Sequence, residues 1–181
     1  MLQNFIDLAR NNASLLQSPL IPADRSEEAV TLAGSSIFDG IKSVLAGGDV
    51  TTVMHFLKGG ETNLISNPVV KEVTTHFINR FSAAFGMNTQ QASGLASSFL
   101  PGVMNQLITK VNDPADKSFD MQEMFDNITD GKTSKLNIAS IFSKVKTGLD
   151  KDGDGDVDLQ DLKLMFTGPD GLVTKIKNAF K

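Results

Sequence analysis

Six aspartates crowd into twelve residues toward the C-terminal end of the chain. They are Asp150, Asp152, Asp154, Asp156, Asp158 and Asp161, in the stretch D-K-D-G-D-G-D-V-D-L-Q-D. Consecutive carboxylates point apart, whereas carboxylates at alternate positions of a tight turn converge on one point. Such a cage suits a hard cation that takes about six to eight oxygens at roughly 2.3–2.6 Å, which is the requirement of Ca²⁺. Apolar residues at helical spacing stand on both sides: Ile138, Ile141, Phe142 and Val145 before the loop, and Leu162, Leu164, Met165 and Phe166 after it. The competing reading is an acidic, solvated turn.

A second kind of chemistry would need the two histidines, His55 and His76. Each lies beside a phenylalanine on a helical segment, in Met54-His55-Phe56 and Thr75-His76-Phe77. A single histidine in such a setting serves as a surface or packing residue more often than as an acid–base catalyst. No nucleophile elbow, phosphate-cradling glycine loop or histidine pair at i, i+4 accompanies them. Gly47-Gly48-Asp49 and Gly59-Gly60-Glu61 read as helix ends. An enzyme is not expected.

The acidic stretch resembles the twelve-residue loop of the EF-hand family. In that scheme Asp150, Asp152 and Asp154 supply side-chain oxygens from positions one, three and five. Gly155 makes the sharp turn at position six, where a Cβ would obstruct, and Asp156 offers its backbone carbonyl. Asp158 acts directly or through a water, and Val157 packs the loop inward. Position twelve departs from the family: Asp161 stands where a bidentate glutamate is usual. Aspartate is one methylene shorter, so the resemblance leaves Mg²⁺ open as an alternative occupant. The loop is also similar to those of dockerin modules, which carry two copies. The nearest second copy here, 126–137, has Ile128 at a ligand position and is rejected. EF-hands normally pair, so Val157 must meet the helical part, a degenerate partner or a second chain, and both monomer and dimer stay open.

The elements that must position this loop are helical throughout. Leu2 to Gln17 predicts a first helix, ending before Pro19 and Pro22. Asp24 or Ser26 is expected to cap a helix running to about Ala46, and Gly34 and Gly40 inside it either weaken the helical pattern or mark close helix contacts. Asp49 caps a short helix. Asn67-Pro68 opens another that Gly86 closes. Asn88 starts one to about Phe99, and Pro101 a separate one to about Val111. Asp120 caps a brief helix through Ile128, and a polar linker follows to Lys135. Helices at 136–149, 159–166 and 170–181 are expected around and after the acidic loop. The fold class is all-α, an irregular multi-helical array with a C-terminal single EF-hand-like helix-loop-helix. Its two parts are 1–130 and 136–181, with packing as one unit left open.

Residues 1 to about 130 also resemble the YidB-like proteins, a bacterial family of helical proteins. The likeness rests on glycine-punctuated short helices and on F-G-M-N-T-Q-Q-A-S-G-L-A-S-S-F-L-P-G-V-M-N-Q-L, from Phe85 to Leu107. The resemblance implies an all-α fold and no particular activity.

Composition narrows the partners. Net charge is −4, from 17 basic and 21 acidic residues, and setting aside the six loop aspartates leaves +2. The acidity is therefore local. No cluster of Lys and Arg with interleaved aromatics speaks for nucleic acid. The chain has no cysteine, which excludes disulfides and thiolate metal sites and is compatible with a reducing cytoplasm. The N-terminus has no basic segment followed by an apolar one, so no signal peptide is expected. Ser82 to Thr109 carries no charge, but its Asn, Gln and Ser content disfavours a membrane span. Twelve Phe and seven Met, with no Trp or Tyr, must fill the core. Met121, Met124 and Phe125, with Met165 and Phe166, could instead line a groove for a partner helix, and core is preferred. The expected function is Ca²⁺-dependent regulation of, or interaction with, a protein partner. The alternative is a helical partner-binding protein in which the ion is a permanent staple.

Overall fold

The computed structural model describes residues 1–47, 49–59, 66–129, 131 and 138 of the 181. The fold is all-α, and no strand occurs among the described residues. Among the described residues six α-helices follow in order: α1 (Leu2–Arg10), α2 (Ser26–Ala46), α3 (Val50–Lys58), α4 (Pro68–Phe85), α5 (Thr89–Asn112) and α6 (Met121–Ile128). Two short 3₁₀ turns, Ala13–Leu16 and Ala23–Arg25, join α1 to α2.

Helix starts follow local chemistry. The Asp49 carboxylate accepts the Thr52 N–H at 3.0 Å, and Asn67 Oδ1 accepts the Val69 N–H at 2.8 Å with Pro68 next in line. Asn88 and Gln91 form a reciprocal capping box at the head of α5. Asp120 accepts the Glu123 N–H at 3.0 Å to open α6. Each bond satisfies a donor that the first helical turn leaves without a partner. At the other end of α4, Gly86 takes a left-handed conformation (φ 65°, ψ 21°) that ends the helix.

α2 is the spine. It packs most extensively on α4 and then on α1, while α5 lies against α4 and is bridged by α3. Two glycines make this possible. A Cβ on Gly34 would fall 2.5 Å from the Ile6 Cα, and one on Gly40 would fall 2.6 Å from the Val73 Cα. Helix backbones thus meet at both positions, the second of the two readings open for these glycines. By length and hydropathy Ala23–Ala46 is apolar enough to cross a membrane, but half of its most apolar stretch is buried within the fold. Its apolar character is used for packing here.

The core is built from phenylalanine and branched aliphatics. Phe77 and Phe81, one turn apart on α4, stack at 3.9 Å between ring centroids, and Phe77 reaches Phe99 of α5 at 5.8 Å. Phe5 of α1 meets Phe38 and Phe119 edge-on. Arg25 lies over the Phe85 ring at 4.7 Å and pairs with Glu28 at 2.7 Å, tying the head of α2 to the tail of α4.

Three expectations are corrected. The first helix stops at Arg10, not Gln17, because Asn12 turns inward. Its amide donates to the Leu8 carbonyl at 2.9 Å and exchanges two hydrogen bonds with Gln106, at 2.9 and 3.1 Å. The start of α2 has Arg25 at its cap position with no side-chain cap, and Ser26 instead donates back to the Ala23 carbonyl. Finally, the segments expected to separate at Pro101 form one continuous helix, α5. The carbonyl that Pro101 leaves without its helical donor belongs to exposed Ser97, where water can replace the missing N–H.

Candidate functional site

The six aspartates expected to bind the ion, Asp150, Asp152, Asp154, Asp156, Asp158 and Asp161, lie outside the described residues. What the structure does place is the ground from which the chain departs toward them. α6 carries Met121, Met124, Phe125 and Ile128 at i, i+3, i+4 and i+7, and all four are buried. The candidate groove residues on this helix are therefore core. Beyond α6 the Thr129 hydroxyl donates to the Phe125 carbonyl at 2.7 Å. Gly131, at φ +79°, closes a 2.7 Å bond from its N–H to the Asp126 carbonyl. A residue with a Cβ would be strained there.

Seven positions further on, Ile138 is fully buried and belongs to the same core. Its backbone N–H donates to Gln122 Oε1 at 2.9 Å. The other end of that amide, Gln122 Nε2, lies 3.2 Å from both oxygens of Asp126, one turn along α6. Asp126 thereby orients the amide so that its oxygen faces Ile138. The chain turns at Gly131 and is fastened back beside the first turn of α6, twelve positions before Asp150. Sequence reasoning marked Ile138 as apolar and in a helix but had no signal for Gln122. A glutamine on a short amphipathic helix looks like an ordinary solvent-facing residue.

Elsewhere, groups of three or more His, Cys, Asp or Glu that could hold a metal do not occur among the described residues. His55 on α3 and His76 on α4 are both half-buried. The described residues line hollows of two kinds. An apolar one of about 290 Å³ lies between the α1–α2 connection and α2, lined by Leu16, Ile21, Ala29 and Val30 among others. A more polar one of about 400 Å³ sits between α1, α5 and the loop before α6, lined by Asn4, Asp7, Asn11, Lys110 and Ser118.

Beside the second hollow, Lys110 Nζ lies 2.6 Å from Asp116, and the Ser118 N–H and hydroxyl donate to the same carboxylate. Lys110 first, and Ser118 second, lower its pKa from the ordinary 3.8 to about 2. Asn4 donates to the Ser118 carbonyl, so the loop is stitched to α1 as well. The lysine is already engaged, and the cluster serves to shape the loop. Arg80 of α4 likewise pairs with Asp39 of α2.

No known protein family, curated protein or solved structure matches the chain.

Proposed function

We propose that the protein binds one Ca²⁺ ion through Asp150, Asp152, Asp154, Asp156, Asp158 and Asp161, and that it works as a regulatory or interaction protein rather than as an enzyme. The observation that carries this reading is the donor set itself. Five carboxylates recur at every second position, a sixth closes the twelve-residue stretch, and Gly155 stands where the turn is sharpest. This composition fits a hard oxygen-seeking cation and offers nothing to a soft one. The ion offsets the mutual repulsion of the carboxylates and thereby orders the apolar segments on either side. The described helical body supplies the platform, and a protein partner is the object of the regulation. Mg²⁺ is the competing ion, because Asp161 is too short to reach in with both oxygens as a glutamate does.

Calorimetric titration of chelator-stripped protein with Ca²⁺, with and without millimolar Mg²⁺, tests the proposal. A dissociation constant of roughly 10⁻⁷–10⁻⁵ M that survives Mg²⁺ and disappears in Asp150→Ala is expected for a sensor site. No measurable heat, or binding unchanged by Asp150→Ala, would refute it. Slow ion exchange, with collapse of the C-terminal helix signal on chelation, would favour the permanent staple.

A further inference from the structure

We propose that the polar hollow between α1, α5 and the loop before α6 binds a small zwitterion with the chemistry of a free α-amino acid. The ligand's carboxylate meets Lys110 and the Asn11 amide, and its ammonium meets Asp7 and the amide oxygen of Asn4. The site is built from described residues alone and does not depend on the Ca²⁺ reading of the acidic loop.

The hollow measures about 400 Å³, inside the range of roughly 300–1,000 Å³ usual for small-molecule sites. Asn4 and Asp7 line it from α1, three residues apart, and Asn11 follows at the end of the same helix. That spacing sets the three side chains on one helix face. Lys110 lines the hollow from α5, and the buried Leu8 and Phe119 back it.

The polar lining has bonding capacity to spare. Gln3 and Arg10 both donate to Oδ1 of Asp7, which leaves Oδ2 as an acceptor. Asn4 donates through Nδ2 to the Ser118 carbonyl and keeps its Oδ1. Lys110 gives one donor to Asp116 at 2.6 Å, and an ammonium has three. No hydrogen bond of the Asn11 side-chain amide occurs among the described residues.

Charge decides the ligand class. Asp7 and Lys110 stand on different walls, and Arg10 and Asp116 respectively balance them. Neither sign dominates, so a ligand of single charge gains less here than one carrying both. The wall facing α1 is also fixed beforehand. Asp116 accepts the N–H and hydroxyl of Ser118, and Phe119 meets Phe5 edge-on at 5.1 Å. Binding therefore has little left to order.

The test is a nuclear magnetic resonance titration of the ¹⁵N-labelled full-length chain in chelator. The proteinogenic L-α-amino acids are added in turn, each up to about 10 mM, and the tightest binder is carried forward. Saturable shifts of the Asn4 and Asn11 side-chain amides are expected, with a dissociation constant of about 1 mM or tighter. The carboxamide of that amino acid and its des-amino carboxylic acid should each bind about tenfold more weakly, since each lacks one charged partner. Asp7→Asn, an exposed change that keeps the side-chain shape, should weaken the amino acid about tenfold and leave the des-amino acid unaffected. Asn11→Ala should weaken both carboxylates at an unchanged urea midpoint. No saturable shift with any amino acid would overturn the proposal. Equal binding of the des-amino acid, or unchanged affinity in Asp7→Asn, would overturn it in favour of a plain carboxylate site.

Discussion

Replacing Gly34 by alanine tests how closely α1 and α2 approach. The new Cβ would lie 2.5 Å from the Ile6 Cα, 2.7 Å from the Ile6 nitrogen and 2.8 Å from the Phe5 carbonyl oxygen. Non-bonded carbons settle at about 3.5–4.0 Å. Because all three neighbours are backbone atoms, no rotamer change relieves the clash, and α1 must retreat by about 1 Å. That movement loosens the packing of Phe5, Ile6, Leu8 and Ala9, all buried along the same helix. Overpacking of this kind costs about 1–3 kcal/mol. Alanine recovers about 1 kcal/mol of helix propensity over glycine, so the net loss should be up to about 2 kcal/mol. Gly94 in α5 is the control, since a Cβ there meets nothing within 4 Å. Gly94→Ala should be stabilising by about 0.4–1 kcal/mol. Urea unfolding followed by far-ultraviolet circular dichroism measures both. If Gly34→Ala proves as stable as Gly94→Ala, the backbone contact between α1 and α2 is wrong.

Further predictions concern polar fastenings. Asp116 has its carboxyl pKa lowered to about 2, so it favours the folded state above its ordinary value of 3.8 and loses that contribution as pH falls toward 2. Asp116→Asn should therefore flatten the decline of thermal stability between those two pH values, and an unchanged acid limb would count against the pairing with Lys110. Asn12→Ala removes the reciprocal amide contact with Gln106 and strips the Leu8 carbonyl of a donor. A loss of about 1–2 kcal/mol is expected, seen as a lower urea midpoint at constant slope. A variant indistinguishable from the parent would show that the amide pair does not hold the α1–α2 connection.

Much of the fold was legible because helix starts are written in short-range chemistry. Asp49, Asn67, Asn88 and Asp120 each cap the helix that their side chains predict, since the bond involved spans only two or three residues. Gly34 and Gly40 were readable as contact points because glycine inside a helix needs a reason. The failures share a different cause. Asn12 ends α1 through a partner 94 residues away, and no local pattern announces Gln106. Pro101 signals a break, yet its ring falls where an exposed carbonyl can turn to water, so burial of Phe99, Leu100, Val103 and Met104 carries the helix through. For the candidate site, the donor chemistry from Asp150 to Asp161 stands in the sequence alone. The Gln122–Ile138 fastening became visible only in three dimensions, because one partner of the bond is a backbone N–H.

The two glycines of α2 are six residues apart. On a helix that interval corresponds to an axial step of about 9 Å and a rotation equivalent to about 120°. α1 and α4 are thus set at a fixed azimuth around α2, each seated where a side chain is missing. One residue inserted between Gly34 and Gly40 would swing one notch by about 100°, to within about 20° of the other's bearing, and one of the flanking helices would face a wall of side chains. Length variation is thus forbidden within this stretch of α2, whereas a surface stretch such as Gln17–Leu20 can grow or shrink without altering the bearing of any helix. The segment 34–40 acts as a protractor for the whole array.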